Sequence, residues 1–214
     1  MKLASLAQQI LKEEEEKATI DKLDQAMGSA FQMMGSELKS KEKVAKQDVE
    51  QADVQVNEAL GVIAVIGIIL AAPKVFEILA KGLSKLIQVF KSIFSKGSAK
   101  GKEEEVAKTI IEFTHKWHKS YIKGLKWILK VTGVFSKAGL KDEAQQQKAA
   151  EVVYYTIVAA LAVYSGVGAV SAFKAAAQGA AHGGSFSLAG LETAMASIKS
   201  KEVVEFIGKL GLKA

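Results

Sequence analysis

Glu112, His115 and His118 lie at positions i, i+3 and i+6 of one stretch, a helical spacing of metal-ligand types that includes both histidines of the region. A Glu-x-x-His pair is half of the carboxylate-bridged di-metal arrangement that helical bundles build. Such a centre also needs a second Glu-x-x-His pair and two further glutamates opposite, and the chain has no second pair. His182 stands among glycines in "QGAAHGGS", with no evident nucleophile motif for it to serve. There is no G-x-x-x-x-G-K-[ST] sequence, and "SGVGAV" falls inside an apolar run where its glycines read as packing positions. The absence of cysteine excludes disulfides, thiolate catalysis and thiolate metal sites. The expectation is a protein that is not an enzyme, with no metal site and no cofactor.

The second constellation is basic. Lys116, Lys119, Lys123, Lys126 and Lys130 share one face of a helix, while Ile110, Phe113, Trp117, Tyr121, Leu125 and Ile128 share the other. With Trp117 and Trp127, this division suits a helix lying in an anionic membrane interface, aromatic side inward and lysines at the headgroups. The same division serves a helix that packs on its own protein and offers its lysines to solvent or to a partner. Trp117, Tyr121, Trp127 and the five lysines are therefore the candidate membrane or partner interface. Every one of the 29 basic residues is lysine. Arginine is the usual residue for bidentate reading of bases and phosphates, so specific nucleic-acid recognition is not expected.

These residues need elements to hold them. The chain has 214 residues, one proline and 49% apolar residues, and is rich in Ala, Leu, Lys and Glu, a mix that favours helix and starves turns and strands. The predicted fold class is all-α. Residues 1–58 carry 8 Lys and 12 acids (net −4), and residues 59–150 carry 16 Lys and 7 acids (net +9). This division predicts an acidic N-terminal helical arm over 1–57 and a basic, apolar helical body over 58–214. It also allows the arm to fold back on the lysine face. The opening "MKLASLA" is too short and too quickly followed by acid to act as a secretory signal.

In the arm, Leu3, Leu6, Ile10, Ile20, Leu23, Met27, Phe31, Met34 and Leu38 form an apolar stripe. A break is predicted near Gly35, beyond which Val44 and Val49 are the visible apolar positions. Two segments are apolar all round, 59–72 and 152–173. A span needs roughly 20 residues, so the second is long enough and the first is not unless it continues through Pro73 to about Ala80. Pro73 favours the start of a new helix, and Lys74 and Glu77 would then pair one turn apart. In the second segment Ala162, Gly166, Gly168 and Ala172 set small residues four apart, the spacing for close helix packing in lipid or in a protein core. Further helices are expected over 103–138, closed by Gly139, then from Asp142 with Gln145 as its start signal. A short helix follows from Ser187, and the last uses Val203, Val204, Phe206, Ile207 and Leu210. The two apolar helices and their amphipathic neighbours would form either a helical bundle or a membrane-inserting hairpin.

The opening "MKLASLAQQILKEEEEK" resembles the start of lysine-rich, cysteine-free helical proteins of the head interior in large tailed bacteriophages of the T4-like group. That resemblance implies a virion location and trimming by a prohead protease after an apolar-x-Glu sequence. Val56, Asn57, Glu58 and Ala59 are similar to that pattern, which makes Glu58 the candidate processing position. The leading functional expectation is a membrane-active helical protein, a phage virion, envelope-penetration or lysis component whose partner is an anionic membrane. The alternative is a soluble structural or assembly protein whose apolar helices form a bundle core and whose partners are other protein subunits, in homo- or hetero-oligomers.

Overall fold

In the N-terminal helix the buried positions Met34, Leu38 and Ala45 alternate with Lys41 and Asp48 in steps of four and three residues. A helix with that stripe must lie along another helix. The computed structural model describes residues 2–54, 61–94, 103–164 and 200–211, and all of their regular structure is helical: the fold is all-α. The helices are α1 (Lys2–Gln51), α2 (Gly61–Ala71), α3 (Pro73–Phe94), α4 (Glu103–Val131), α5 (Val134–Lys137), α6 (Glu143–Tyr164) and α7 (Lys201–Lys209).

α1 is one helix of 50 residues, about 75 Å long at 1.5 Å per residue. The break predicted near Gly35 is not formed. Glycine in a helix interior costs about 1 kcal/mol relative to alanine, but the flanking Met34 and Leu38 are buried against other helices and outweigh it. Val44 is 44% exposed, and the buried residue at that level is its neighbour Ala45. The apolar stripe is thin beyond Gly35 because polar groups fill it. Lys41 reaches Glu77 of α3 at 2.6 Å, and Asp48 accepts the Lys74 backbone N–H at 2.8 Å. That N–H is one of the donors left unpaired in the first turn of any helix, so α1 supplies the cap of α3. Pro73, as predicted, opens α3.

Contacts fix the directions. Glu37 meets Lys81, Lys41 meets Glu77 and Asp48 meets Lys74, so α1 and α3 run antiparallel. Asp24 meets Lys116, Phe31 meets Tyr121, and Lys137 donates to the Glu50 carbonyl, so α1 runs parallel to α4 and α5. Tyr121 meets Tyr154 while Lys126 meets Glu143, so α4 and α6 are antiparallel. The predicted 103–138 helix is interrupted: Gly133 has φ +86°, a left-handed conformation open mainly to glycine, and it separates α4 from the short α5. Gly139, with φ +73°, closes α5, where the Leu140 N–H bonds back to the Phe135 carbonyl at 2.9 Å. Asp142 starts α6 by accepting the Gln145 N–H at 2.8 Å.

The predicted 59–72 segment corresponds to α2 at the centre, touching α1, α3, α5, α6 and α7. Its Val65, Ile66, Ile68 and Ile69 are fully covered. Val75, Ile78, Leu79 and Leu83 of α3, Leu125 and Ile128 of α4, Val153 and Tyr155 of α6 and Phe206 of α7 share that core. Of the predicted α7 residues, Val203, Phe206, Ile207 and Leu210 are buried, while Val204 is 47% exposed. Among the described residues no single helix is long and apolar enough to cross a membrane. Ile63–Ala71 and Pro73–Ser84 have the length and composition together, but they meet at 100° around Ala72, so the straight passage through Pro73 is not formed. Within the 152–173 segment, α6 is described to Tyr164. Gly166, Gly168, Ala172, the predicted helix from Ser187, and the Glu58 processing position lie outside the described residues, as does the side chain of Ala162.

Candidate binding face of the α4–α6 pair

α4 is held on two sides. Its inward side chains Tyr121, Leu125 and Ile128 are buried, in agreement with the apolar face read from the sequence. Phe31 of α1 lies on α4 where Gly124 has no side chain; a Cβ there would come within 2.8 Å of the ring. An aromatic series follows, with ring centroids at 6.2 Å for Trp117–Phe31, 5.5 Å for Phe31–Tyr121 and 5.2 Å for Tyr121–Tyr154. Such tilted pairs at 4.5–7 Å add to the burial of their area. Trp117 and Tyr121, expected at an interface, are thus core contacts between α1, α4 and α6. Burial raises the Tyr121 phenol well above its ordinary pKa, and its hydroxyl has no hydrogen-bond partner.

The five lysines divide by what they meet. Lys116 pairs with Asp24 of α1, which also accepts the Trp117 indole N–H. Lys126 is the least exposed and bridges to Glu143 of α6 at 2.6 Å, with Lys130 at 3.7 Å from the same carboxylate. The hydrogen bond from Lys126, then the charges of Lys126 and Lys130, hold the Glu143 carboxyl below its usual pKa. Lys119 and Lys123 are exposed, and neither forms an ion pair among the described residues. Trp127 is 48% exposed on the lysine side of the helix, away from the apolar face that was expected to carry it. Apart from the Lys116–Asp24 pair, these groups line an open groove of about 560 Å³ between α4 and α6, together with His118, Ile122, Gln147 and Glu151.

A second polar cluster joins α1 to α3. Glu77 pairs with Lys41 at 2.6 Å, Lys74 at 2.9 Å and Lys81 at 3.1 Å; Glu37 pairs with Lys41 and Lys81, each at 2.8 Å. Hydrogen bonds from Lys41, Lys74 and Lys81 bring the Glu77 carboxyl down to about 2. The Glu37 carboxyl is lowered by Lys41 and Lys81, and Lys41 is raised by its two carboxylates. The Lys74–Glu77 pair read from the sequence is present, but α1 contributes half of the cluster.

Nothing among the described residues gathers three or more His, Asp or Glu side chains into a metal-holding group. His118 is buried beside the groove, while the side chains of Glu112 and His115 lie outside the described set. Asp24, Phe31 and Glu143 organise this face; Phe31 belongs to the apolar stripe read from the sequence, whereas Asp24 and Glu143 were not singled out there. The opposed charges of the arm and the body were the available signal for the first, and the start box at Asp142 for the last. Comparison with protein families, characterised proteins and solved structures returns no match to this chain.

Proposed function

We propose that this chain is a non-catalytic helical assembly protein whose apolar segments serve as the core of its own bundle. The observation that carries this reading is the covering of α2, whose central isoleucines have no exposed surface. Each buried isoleucine is worth about 1.5–3 kcal/mol relative to exposure. Withdrawing α2 into a bilayer would keep that gain for α2 but uncover the inward faces of α3, α6 and α7, which it touches. The pairing of the acidic arm with the basic body, through Asp24–Lys116 and Glu37–Lys81, supports a folded unit already self-satisfied in charge on that side. The partners in this reading are other protein subunits. The resemblance of the opening stretch to internal virion proteins favours a phage particle as the assembly.

The test is expression without detergent, followed by fractionation and size-exclusion chromatography with light scattering. A monodisperse species in the supernatant is expected. Recovery only in the membrane fraction would overturn the reading.

A second reading, peripheral attachment to an anionic membrane, is favoured by one observation: Trp127 is half exposed beside unpaired lysines. Flotation with phosphatidylglycerol vesicles at low and high salt decides it. Co-flotation at low salt that is lost in Trp127→Ala supports attachment, and a protein that stays at the bottom at both salt concentrations excludes it.

A further inference from the structure

We propose that the α4–α6 groove binds one molecule of an anionic amphiphile, a single acyl or aromatic group carrying a phosphate monoester or carboxylate. This goes beyond the assembly reading and does not depend on it. The groove's volume, about 560 Å³, falls in the range of small-ligand sites, roughly 300–1,000 Å³. Its walls are mixed in the way such a ligand requires. The half-exposed Trp127 offers apolar surface that is unfavourable to leave against water, and the buried Ile122 backs the groove.

The charges select the head. Glu143 already engages Lys126 and Lys130. Lys119 and Lys123 remain, one turn apart on the same face, where like charges repel. An anion between these two ammonium groups relieves that repulsion, and the apolar remainder can lie on the exposed ring of Trp127. Glu143 and Glu151 on the α6 wall oppose an extended polyanion, so a nucleic acid is a poor fit and a single compact charge a good one. Glu151 is itself held by the Gln147 amide at 3.0 Å and does not pair with either lysine.

The experiment uses the full chain, with tryptophan fluorescence and titration calorimetry. The probes are dodecyl phosphate below its critical micelle concentration, inorganic phosphate, dodecyl maltoside and phosphatidylglycerol vesicles. The expected result is saturable one-to-one binding of dodecyl phosphate with a blue shift of the emission. Inorganic phosphate and dodecyl maltoside at the same concentration should bind at least about tenfold more weakly, a difference of about 1.4 kcal/mol. The Lys119→Gln/Lys123→Gln double variant should lose about tenfold in affinity with unchanged circular dichroism, because both side chains are exposed. Trp127→Phe should abolish the blue shift. Equal binding of dodecyl maltoside, an undiminished affinity in the double variant, binding to vesicles alone, or no saturable binding of dodecyl phosphate would each overturn the proposal.

Discussion

Replacing Gly82 by alanine tests how closely α3 approaches α1. Gly82 is buried in the interior of α3, and a Cβ built there would lie 2.6 Å from the Met34 Sδ and 3.2 Å from the Ala30 carbonyl oxygen. Taken alone, Gly→Ala in a helix interior stabilises by about 1 kcal/mol. Overpacking a close contact costs about 1–3 kcal/mol. Met34 is 2% exposed, so its side chain cannot swing aside without displacing other core groups. The Ala30 oxygen is backbone, and moving it means moving α1. The upper part of the overpacking range therefore applies, and Gly82→Ala should destabilise by about 1–2 kcal/mol net. Gly28 and Gly35 of α1 have nothing within 4 Å of a built Cβ, so the same exchange there should stabilise by about 0.5–1 kcal/mol. Urea unfolding followed by circular dichroism at the helix band measures all three, and Gly82→Ala should fall about 1.5–3 kcal/mol below Gly35→Ala. Adding Met34→Ala to Gly82→Ala should cost less than the sum of the two single changes, because the residues touch. A Gly82→Ala protein at least as stable as the parent would refute the close packing of α1 on α3.

Other consequences concern polar groups. Tyr121→Phe removes a buried hydroxyl without a partner and should raise stability by about 1 kcal/mol in the same unfolding assay; a loss of that size would mean that the hydroxyl is satisfied. Asp48→Ala removes the cap that α1 gives α3 and should cost about 1 kcal/mol, with Asp48→Asn retaining most of it; equal losses in the two variants would place the effect elsewhere. The Glu77 carboxyl is depressed from its ordinary value of 4.5 to about 2 by its lysines. Its contribution is present above the unfolded carboxylate pKa and is lost as pH falls through the window from about 4.5 to about 2. Thermal melts across that window should therefore decline more steeply for the parent than for Glu77→Gln, and identical slopes would assign the acid sensitivity to other groups.

Much of the helical content was legible because it rests on local periodicity. The lysine and apolar faces of α4, the start of α3 at Pro73, the Asp142 start of α6 and the left-handed glycine after α5 all follow from side chains and backbone preferences within a few residues. The break assigned to Gly35 and the burial assigned to Val44 failed for a shared reason. Gly35 is overridden by Met34 and Leu38, and Val44 is displaced by Ala45, because those are the side chains that other helices cover. Alanines 26, 30, 45 and 52, buried in the core, were invisible as core positions because alanine is equally at home on a helix surface. The candidate face divides in the same way. Five lysines on one side of a helix can be counted from spacing alone. That Asp24 takes Lys116, that Glu143 takes Lys126, and that Lys119 and Lys123 are left beside an exposed Trp127 depends on which helices lie alongside.

The amino-acid order by itself determined that this chain is helical, that acid and base are segregated along it, and that one short segment is apolar on every side. Those properties arise from propensity and pattern, which act over one or two turns. Tertiary structure decided that α2 turns by 100° into α3 and is enclosed by five other helices. It also decided that polar groups of α1 complete both the cap and the charge network of α3. An apolar helix needs a low-dielectric surround and does not specify which one; only the faces packed around it do so.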